Sequence, residues 1–309
     1  MNMKKDKVVV LLSAYNGEKF LREQIDSILS QEDVDLDLFI RNDGSKDETI
    51  SILSDYENKH TNVKVFNEEN VGLACSFMQL LYYAGLEYDY YCFADQDDVW
   101  LKNKIISGIK LIGQKDTPML YSSNQQLVDC QLNNLSIRYD SPADTSYKQI
   151  IANNKISGCT FIWNKQLQKI LLDENRRPTP ELLRKRIHDV WVAAVASVAG
   201  TIVFDMNTYI LYRQHESNVV GVRKGSRIAN YIKKIRDPNT RCGRSDLAKE
   251  LMAKYSDLIV DPNILEDIKA LSLYKTDRAS RKKMLVNHAF QADGESLFSY
   301  RIKLRLKIV

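Results

Sequence analysis

Tyr90-Tyr91-Cys92-Phe93-Ala94-Asp95-Gln96-Asp97-Asp98-Val99-Trp100 is the stretch whose reading decides the fold. An aromatic and apolar run rich in β-formers stops at three carboxylates within four residues, and apolar residues resume at Val99-Trp100. That pattern predicts a buried strand ending in an acidic loop. Like charges crowded at a strand tip shift their pKa values by roughly one unit or more each unless a cation neutralises them. A hard divalent ion does so, and Mg²⁺ takes only one or two carboxylates, completing its octahedron with water and substrate phosphates. The stretch therefore points to a metal–diphosphate site at the carboxyl end of a central strand. A solvated acidic turn is the ordinary alternative, but Trp100 and the apolar run hold these acids at the edge of a core.

Upstream, the same alternation recurs. Val8 to Leu12 predicts a buried strand, Ser13-Ala14-Tyr15-Asn16-Gly17 a turn, and Phe20, Leu21, Ile25, Ile28 and Leu29 a helix. Leu38-Phe39-Ile40 and Val63 to Phe66 are two more strands, each leading into a helix, the first through Asn42-Asp43-Gly44-Ser45 and the second through Asn70-Val71-Gly72. Four strands alternating with helices imply an α/β fold with a mostly parallel sheet, whose ligands gather at the carboxyl ends of the strands. No Gly-x-Gly-x-x-Gly follows the first strand and no Gly-Lys-Ser or Gly-Lys-Thr occurs. A dinucleotide oxidoreductase and a P-loop ATPase are disfavoured, so grip on a phosphate falls to a metal and basic side chains.

Downstream, Lys102 to Ile112 predicts a helix and Met119-Leu120-Tyr121 a strand. Asp129 to Gln149 reads as loops over the site, and Ser157 to Trp163 as a strand. Val190 to Ala196 is apolar on every face, hence a buried helix with His188-Asp189 at its amino end. Thr201 to Phe204 and Tyr209 to Tyr212 read as two strands, the second delivering Arg213-Gln214-His215.

The 309 residues, 44% hydrophobic and 27% charged, describe a globular protein. Five scattered cysteines with no Cys-x-x-Cys pair read as reduced thiols. Neither a signal segment nor a spanning helix is read in the sequence, so the expected location is cytoplasmic, with peripheral attachment at the inner face of the plasma membrane compatible. From Gly221 onward 20 Lys plus Arg face 10 Asp plus Glu, whereas the preceding residues carry 24 against 30. This break predicts a boundary near residue 221, with a basic, mainly helical region over 222–309. Its last ten residues, Tyr300 to Val309, alternate strictly and are strand-like by period, but a solvated helical appendage is the reading preferred for the region. The basic surplus suits an anionic membrane surface, and with few interleaved aromatics and no binding motif, nucleic acid is not an expected partner.

The ordered set of motifs resembles the family 2 inverting glycosyltransferases, which adopt the GT-A fold, over roughly residues 7 to 221. Ala14-Tyr15-Asn16-Gly17, Asn42-Asp43-Gly44-Ser45, Asn70-Val71-Gly72 and Asp95-Gln96-Asp97-Asp98 match its successive loops. Asp-Gln-Asp-Asp-Val-Trp at 95–100, His-Asp-Val-Trp at 188–191 and Tyr-Arg-Gln-His-Glu-Ser-Asn-Val-Val-Gly at 212–221 are similar to bacterial rhamnosyltransferases. Asn42 and His188 depart from the family pattern, where many members have Asp and Glu.

The resemblance implies a donor half over about 1–100 and an acceptor half over about 101–221. Within them it implies Asp43 at the donor base, Asp95 at the ribose, Asp97 on Mn²⁺ or Mg²⁺, His215 as a late ligand of that metal or of the diphosphate, and Asp189 as general base. Ala14, Tyr15, Asn70, Gly72 and Arg213 complete the implied donor site, and Cys159 and Thr160 are further candidates. The implied reaction is transfer of L-rhamnose from dTDP-L-rhamnose to a lipid-linked saccharide in cell-surface polysaccharide synthesis. A UDP-hexose donor, a metal-dependent nucleotidyltransferase or nuclease, and a binding module without activity are the rivals. Taken alone, Asp43 is a common turn residue and Asp189 a common helix cap.

Overall fold

The computed structural model describes residues 5–215 and 242–309. The basic stretch Arg227 to Arg236 and the end of the 212–221 motif lie outside the described residues. The chain divides into two compact units, the first made of Met1–Ala143, Ile156–Asp173 and Thr201–Gly221, the second of Asp144–Lys155, Glu174–Gly200 and Val222–Val309.

The first unit begins β1 (Asp6–Ala14), α1 (Leu21–Leu29), β2 (Val34–Asp43), α2 (Thr49–Lys59), β3 (Val63–Glu68), α3 (Leu73–Tyr83), β4 (Tyr90–Ala94). Val8 to Leu12 and Tyr91 to Ala94 are fully buried, as strands covered on both faces by helices must be. Leu21, Ile25 and Ile28 turn one stripe of α1 inward onto this sheet. After β4 come β5 (Val99–Trp100), α4 (Lys104–Ile112), β6 (Met119–Val128) and β7 (Asn134–Ile137). β8 (Ile162–Asn164), α6 (Lys165–Leu172) and β9 (Thr201–Arg213) complete the unit.

The sheet runs β3-β2-β1-β4-β8-β6-β9-β5, with β7 beside β6. Its β1–β4 half is parallel throughout, which sets the carboxyl ends of β1, β2 and β4 side by side. The other half is mixed: β8 is antiparallel to β4 and β6, and β5 is antiparallel to β9.

Several local expectations change. Thr201 to Tyr212 is one strand rather than two, carried past an irregularity opposite Ser123 and Asn124. The Ser157–Trp163 strand shrinks to β8, because Gly158–Thr160 forms a 3₁₀ turn. Polar residues 129–149 are not all loop, since β7 pairs with β6 as a hairpin and a helix begins at Tyr147.

The second unit is helical: α5 (Tyr147–Asn153), α7 (Pro180–Lys185), α8 (His188–Ala199), α9 (Gly243–Tyr255), α10 (Pro262–Leu273), α11 (Arg278–Asn287) and α12 (Leu297–Arg305). Asp261, Asp277 and Ser296 cap α10, α11 and α12, each accepting a backbone N–H. The strand-like reading of the last ten residues is thus corrected to a helix followed by a short tail. An alternation of period two contains every fourth residue as well, so Tyr300, Leu304 and Ile308 also satisfy the helical spacing, and these three are buried. A merely solvated appendage is corrected too. Trp191 meets Tyr255 edge-on at 5.7 Å, and Arg244 reaches the carbonyls of Ala152 and Phe290. Among the described residues no helix is long and apolar enough to cross a membrane, and all five cysteines are free thiols.

Candidate active site

Three loops meet at the carboxyl ends of β1, β2 and β4. In the first, Asn16 sits at φ +47°, its N–H donating to Ser45 Oγ at 3.0 Å while its Oδ1 accepts from Lys46 N at 2.9 Å. Gly17 N donates to Thr49 Oγ1 at 2.8 Å. Gln96 joins this loop to the acidic one: its Oε1 accepts from Tyr15 N at 2.8 Å and its Nε2 donates to Tyr15 O at 3.1 Å. A Cβ at Gly17 would stand 2.4 Å from Gln96 Oε1, so a side chain there would push the end of the Gln96 amide aside. Buried Gln24 adds a bond from Nε2 to Asp95 O at 2.9 Å.

At the end of β2, Asp43 is buried. Its Oδ1 accepts from Val71 N at 2.8 Å and from the Arg41 guanidinium, and its Oδ2 from Gly72 N at 3.0 Å. Asn70 Nδ2 donates to Asp43 O at 2.8 Å. Three candidates that sequence names separately, Asp43, Asn70 and Gly72, are therefore one hydrogen-bonded element. Gly44 and Gly72 hold φ of +73° and +83° in its turns, conformations that suit glycine.

The acidic loop is closed by pairing far along the chain. Val99 pairs with Leu211 and Trp100 with Ile210, so the end of β9 returns to the end of β4. There His215 Nε2 lies 2.8 Å from Asp97 Oδ2, both partly buried. Arg213 does not reach out as a surface cation. It is 1% exposed, with Nε donating to Asp97 O at 2.8 Å, one terminal nitrogen to Cys130 O at 2.6 Å and the other to Glu23 at 2.5 Å. Its backbone N–H donates to Asp98 Oδ1 at 3.1 Å. The Phe20 ring packs against both partners, 4.3 Å from the Arg213 guanidinium and 5.4 Å from the His215 ring.

Burial pushes the Asp98 carboxyl well above the usual range, with Asp97 and Asp95 adding to it. Burial likewise raises the Cys159 thiol, with Asp95 and Asp98 nearby. Lys104 is pushed down to about 8 by burial and lies 3.6 Å from the Trp100 ring centre. Ligand atoms of Asp95, Asp98 and Cys159 lie within 4.8 Å of one another, but a buried thiol held protonated is a poor partner for a hard cation. Asp97 and His215 fit better. Their ligand atoms are hydrogen-bonded to each other, at a separation close to the roughly 3 Å between neighbouring corners of an octahedron with Mg²⁺ bond lengths.

Thus Ala14, Tyr15, Asp43, Asn70, Gly72, Asp95, Asp97, Arg213 and His215 all belong to the first unit, while Asp189 belongs to the second. Asp189 is the second residue of α8, with Oδ1 accepting from Val190 N at 2.6 Å. Beside it His188 is buried, and burial alone pushes its imidazole down to about 3. Sequence reasoning missed Phe20, Glu23, Gln24 and Gln96. Gln24 carried a signal, as a polar residue on the mostly apolar stripe of α1.

Residues 9–170 match the family model described as glycosyl transferase family 2. The dTDP-rhamnosyl transferase RfbG of Shigella flexneri is 27% identical over 294 residues, covering 89% of this chain and 97% of its own. The UDP-Glc:alpha-D-GlcNAc-diphosphoundecaprenol beta-1,3-glucosyltransferase WfgD of Escherichia coli is 25% identical over 162 residues, 52% of this chain and 61% of its own. The crystal structure of S. aureus TarS 1-349 superposes with a TM-score of 0.59 at 18% identity, covering 91% of this chain and 74% of that one. Its complex with UDP-GlcNAc gives 0.56, also at 18% identity, over 98% and 92%. These superpositions carry the fold, and the family match accounts for the order of the loops: the chain belongs to glycosyl transferase family 2 and has the GT-A fold.

Proposed function

We propose that the protein is a metal-dependent inverting glycosyltransferase that moves L-rhamnose from dTDP-L-rhamnose to a lipid-linked saccharide in cell-surface polysaccharide synthesis. The observation that carries the metal-dependent reading is the Asp97–His215 pair at 2.8 Å, beside the end of the central strand. The rhamnosyl donor is supported by the likeness to RfbG along nearly its whole length, and the lipid-linked acceptor by the name of WfgD. Residues 1–221 carry the reaction in this reading, with the donor held by the first hundred.

Asp97 and His215 hold Mn²⁺ or Mg²⁺, which when bound supplies Lewis-acid neutralisation of the diphosphate charge. Ala14, Tyr15 and the Asp43–Asn70–Gly72 element cradle the nucleoside, and Asp95 takes the ribose. Arg213 serves the donor by holding the main chain of Asp97 in place, since its own guanidinium already donates to Asp97, Cys130 and Glu23. Asp189 takes the proton of the acceptor hydroxyl as the acceptor oxygen bonds to the anomeric carbon. The bond from that carbon to the nucleoside diphosphate breaks on the opposite face, and the configuration inverts.

A UDP-hexose donor is the second reading, favoured by the UDP-GlcNAc complex of TarS and by the UDP-Glc in the name of WfgD. A thermal-shift screen of dTDP-rhamnose against UDP-glucose and UDP-GlcNAc, with and without Mn²⁺, separates the two, because a ligand of the native state raises its stability. A larger metal-dependent shift with dTDP-rhamnose is expected. A larger shift with a UDP-hexose transfers the assignment to that donor, and shifts indifferent to Mn²⁺ remove the metal.

A further inference from the structure

We propose that α11 and α12 together form a docking face for an anionic lipid surface, with Phe298 as its inserted anchor. The helical register of α12 creates this face. Tyr300 and Leu304 turn inward, which leaves Phe298 75% exposed and Leu306 58% exposed, with Arg301 and Arg305 also outward. On α11, Met284 turns inward while Arg278, Lys282 and Val286 recur at four-residue spacing on the outer side. The two helices are tied where Arg301 meets His288 Nε2 at 3.3 Å and the His288 ring lies 6.5 Å from that of Tyr300.

Charge decides the occupant. Between Arg278 and Val309 the acids are Asp293 and Glu295. Glu295 is covered by Arg244 and Lys303, and Asp293 pairs with Lys155. Among the described residues no ion pair holds Arg278, Lys282, Arg301, Arg305 or Lys307, whereas Lys283 is taken by Glu266 and Asp267. A large aromatic ring standing out of a basic, acid-poor face suits a bilayer interface, where bases meet anionic headgroups and the ring enters the acyl boundary. The inference deepens the proposed lipid-linked acceptor and rests on that reading for its purpose. Vesicle binding needs no acceptor, so the two fail separately.

The test is flotation of the whole protein with phosphatidylcholine vesicles, with and without phosphatidylglycerol. Binding is expected only to the anionic vesicles, at low salt of about 50 mM and not at about 500 mM, where screening is short-ranged. Arg301→Gln with Arg305→Gln should weaken it about tenfold or more. Phe298→Ser should weaken it with an unchanged melting temperature, and Arg184→Gln, at an exposed position of α7, should leave it unchanged. No binding at low salt, equal binding to neutral vesicles, or full binding by both face variants overturns the proposal. An acidic protein captured by the same face in place of vesicles would overturn it as well.

Discussion

The two units use charge in opposite ways. The first gathers acids at the ends of parallel strands, where hydrogen-bond register brings Asp97 to His215 across 118 residues of chain. The second turns bases outward from helices and buries aromatic residues such as Trp191 and Tyr255 between them. A sheet edge converges distant residues on one point, whereas a helix face spreads near ones along a line. The first arrangement suits a small, highly charged ligand and the second an extended surface.

The contrast can be broken at four places. Asp189→Asn should lower sugar transfer by up to about 10⁴-fold while the donor's dissociation constant stays within about twofold. Comparable transfer by this variant would move the general base elsewhere. Asp97→Asn should cost about 10³-fold in rate and abolish Mn²⁺-dependent stabilisation, since a bound metal contributes several kcal/mol to charge stabilisation. If Mn²⁺ still raises the melting temperature of that variant, the acids of the first unit serve another purpose. Trp191→Ala, deep in the second unit, should cost about 3–5 kcal/mol in urea denaturation, as large aromatic deletions in cores do. A cost below about 1 kcal/mol would show that the helices are held by something other than this core.

The smallest effect concerns pH. His188 has a folded pKa near 3, below its unfolded value, so its contribution is intact above about pH 6.5. As pH falls the unfolded chain takes a proton that the folded chain refuses, and stability drops by up to about 1.4 kcal/mol per pH unit. His188→Gln should therefore show a shallower loss than the parent between pH 6.5 and 4 in urea melts. Parallel slopes would place the imidazole in water.

Most of the first unit was legible because its signals are local. Buried strands read as apolar runs, and turns read as Asn-Asp-Gly-Ser or Asn-Val-Gly at their ends. What escaped were bonds made by side chains to distant main chain, such as those of Gln24 and Gln96, which leave little pattern in sequence. Arg213 was visible as a residue, but its burial was not, because burial depends on Phe20, just before α1, and on Glu23 within it. The second unit was harder. Its core joins segments separated by whole elements of the sheet, and the period-two run at the end admitted both a strand and a helix until tertiary packing chose.

Gln96 commits both ends of its amide to the main-chain N–H and C=O of Tyr15 rather than to its ring. The tether is therefore blind to which amino acid occupies position 15. That aromatic, 46% exposed, can be exchanged for another side chain while the neighbouring carboxylates stay where they are. If the proposed function holds, variation in donor preference should accumulate at position 15 rather than at these carboxylates.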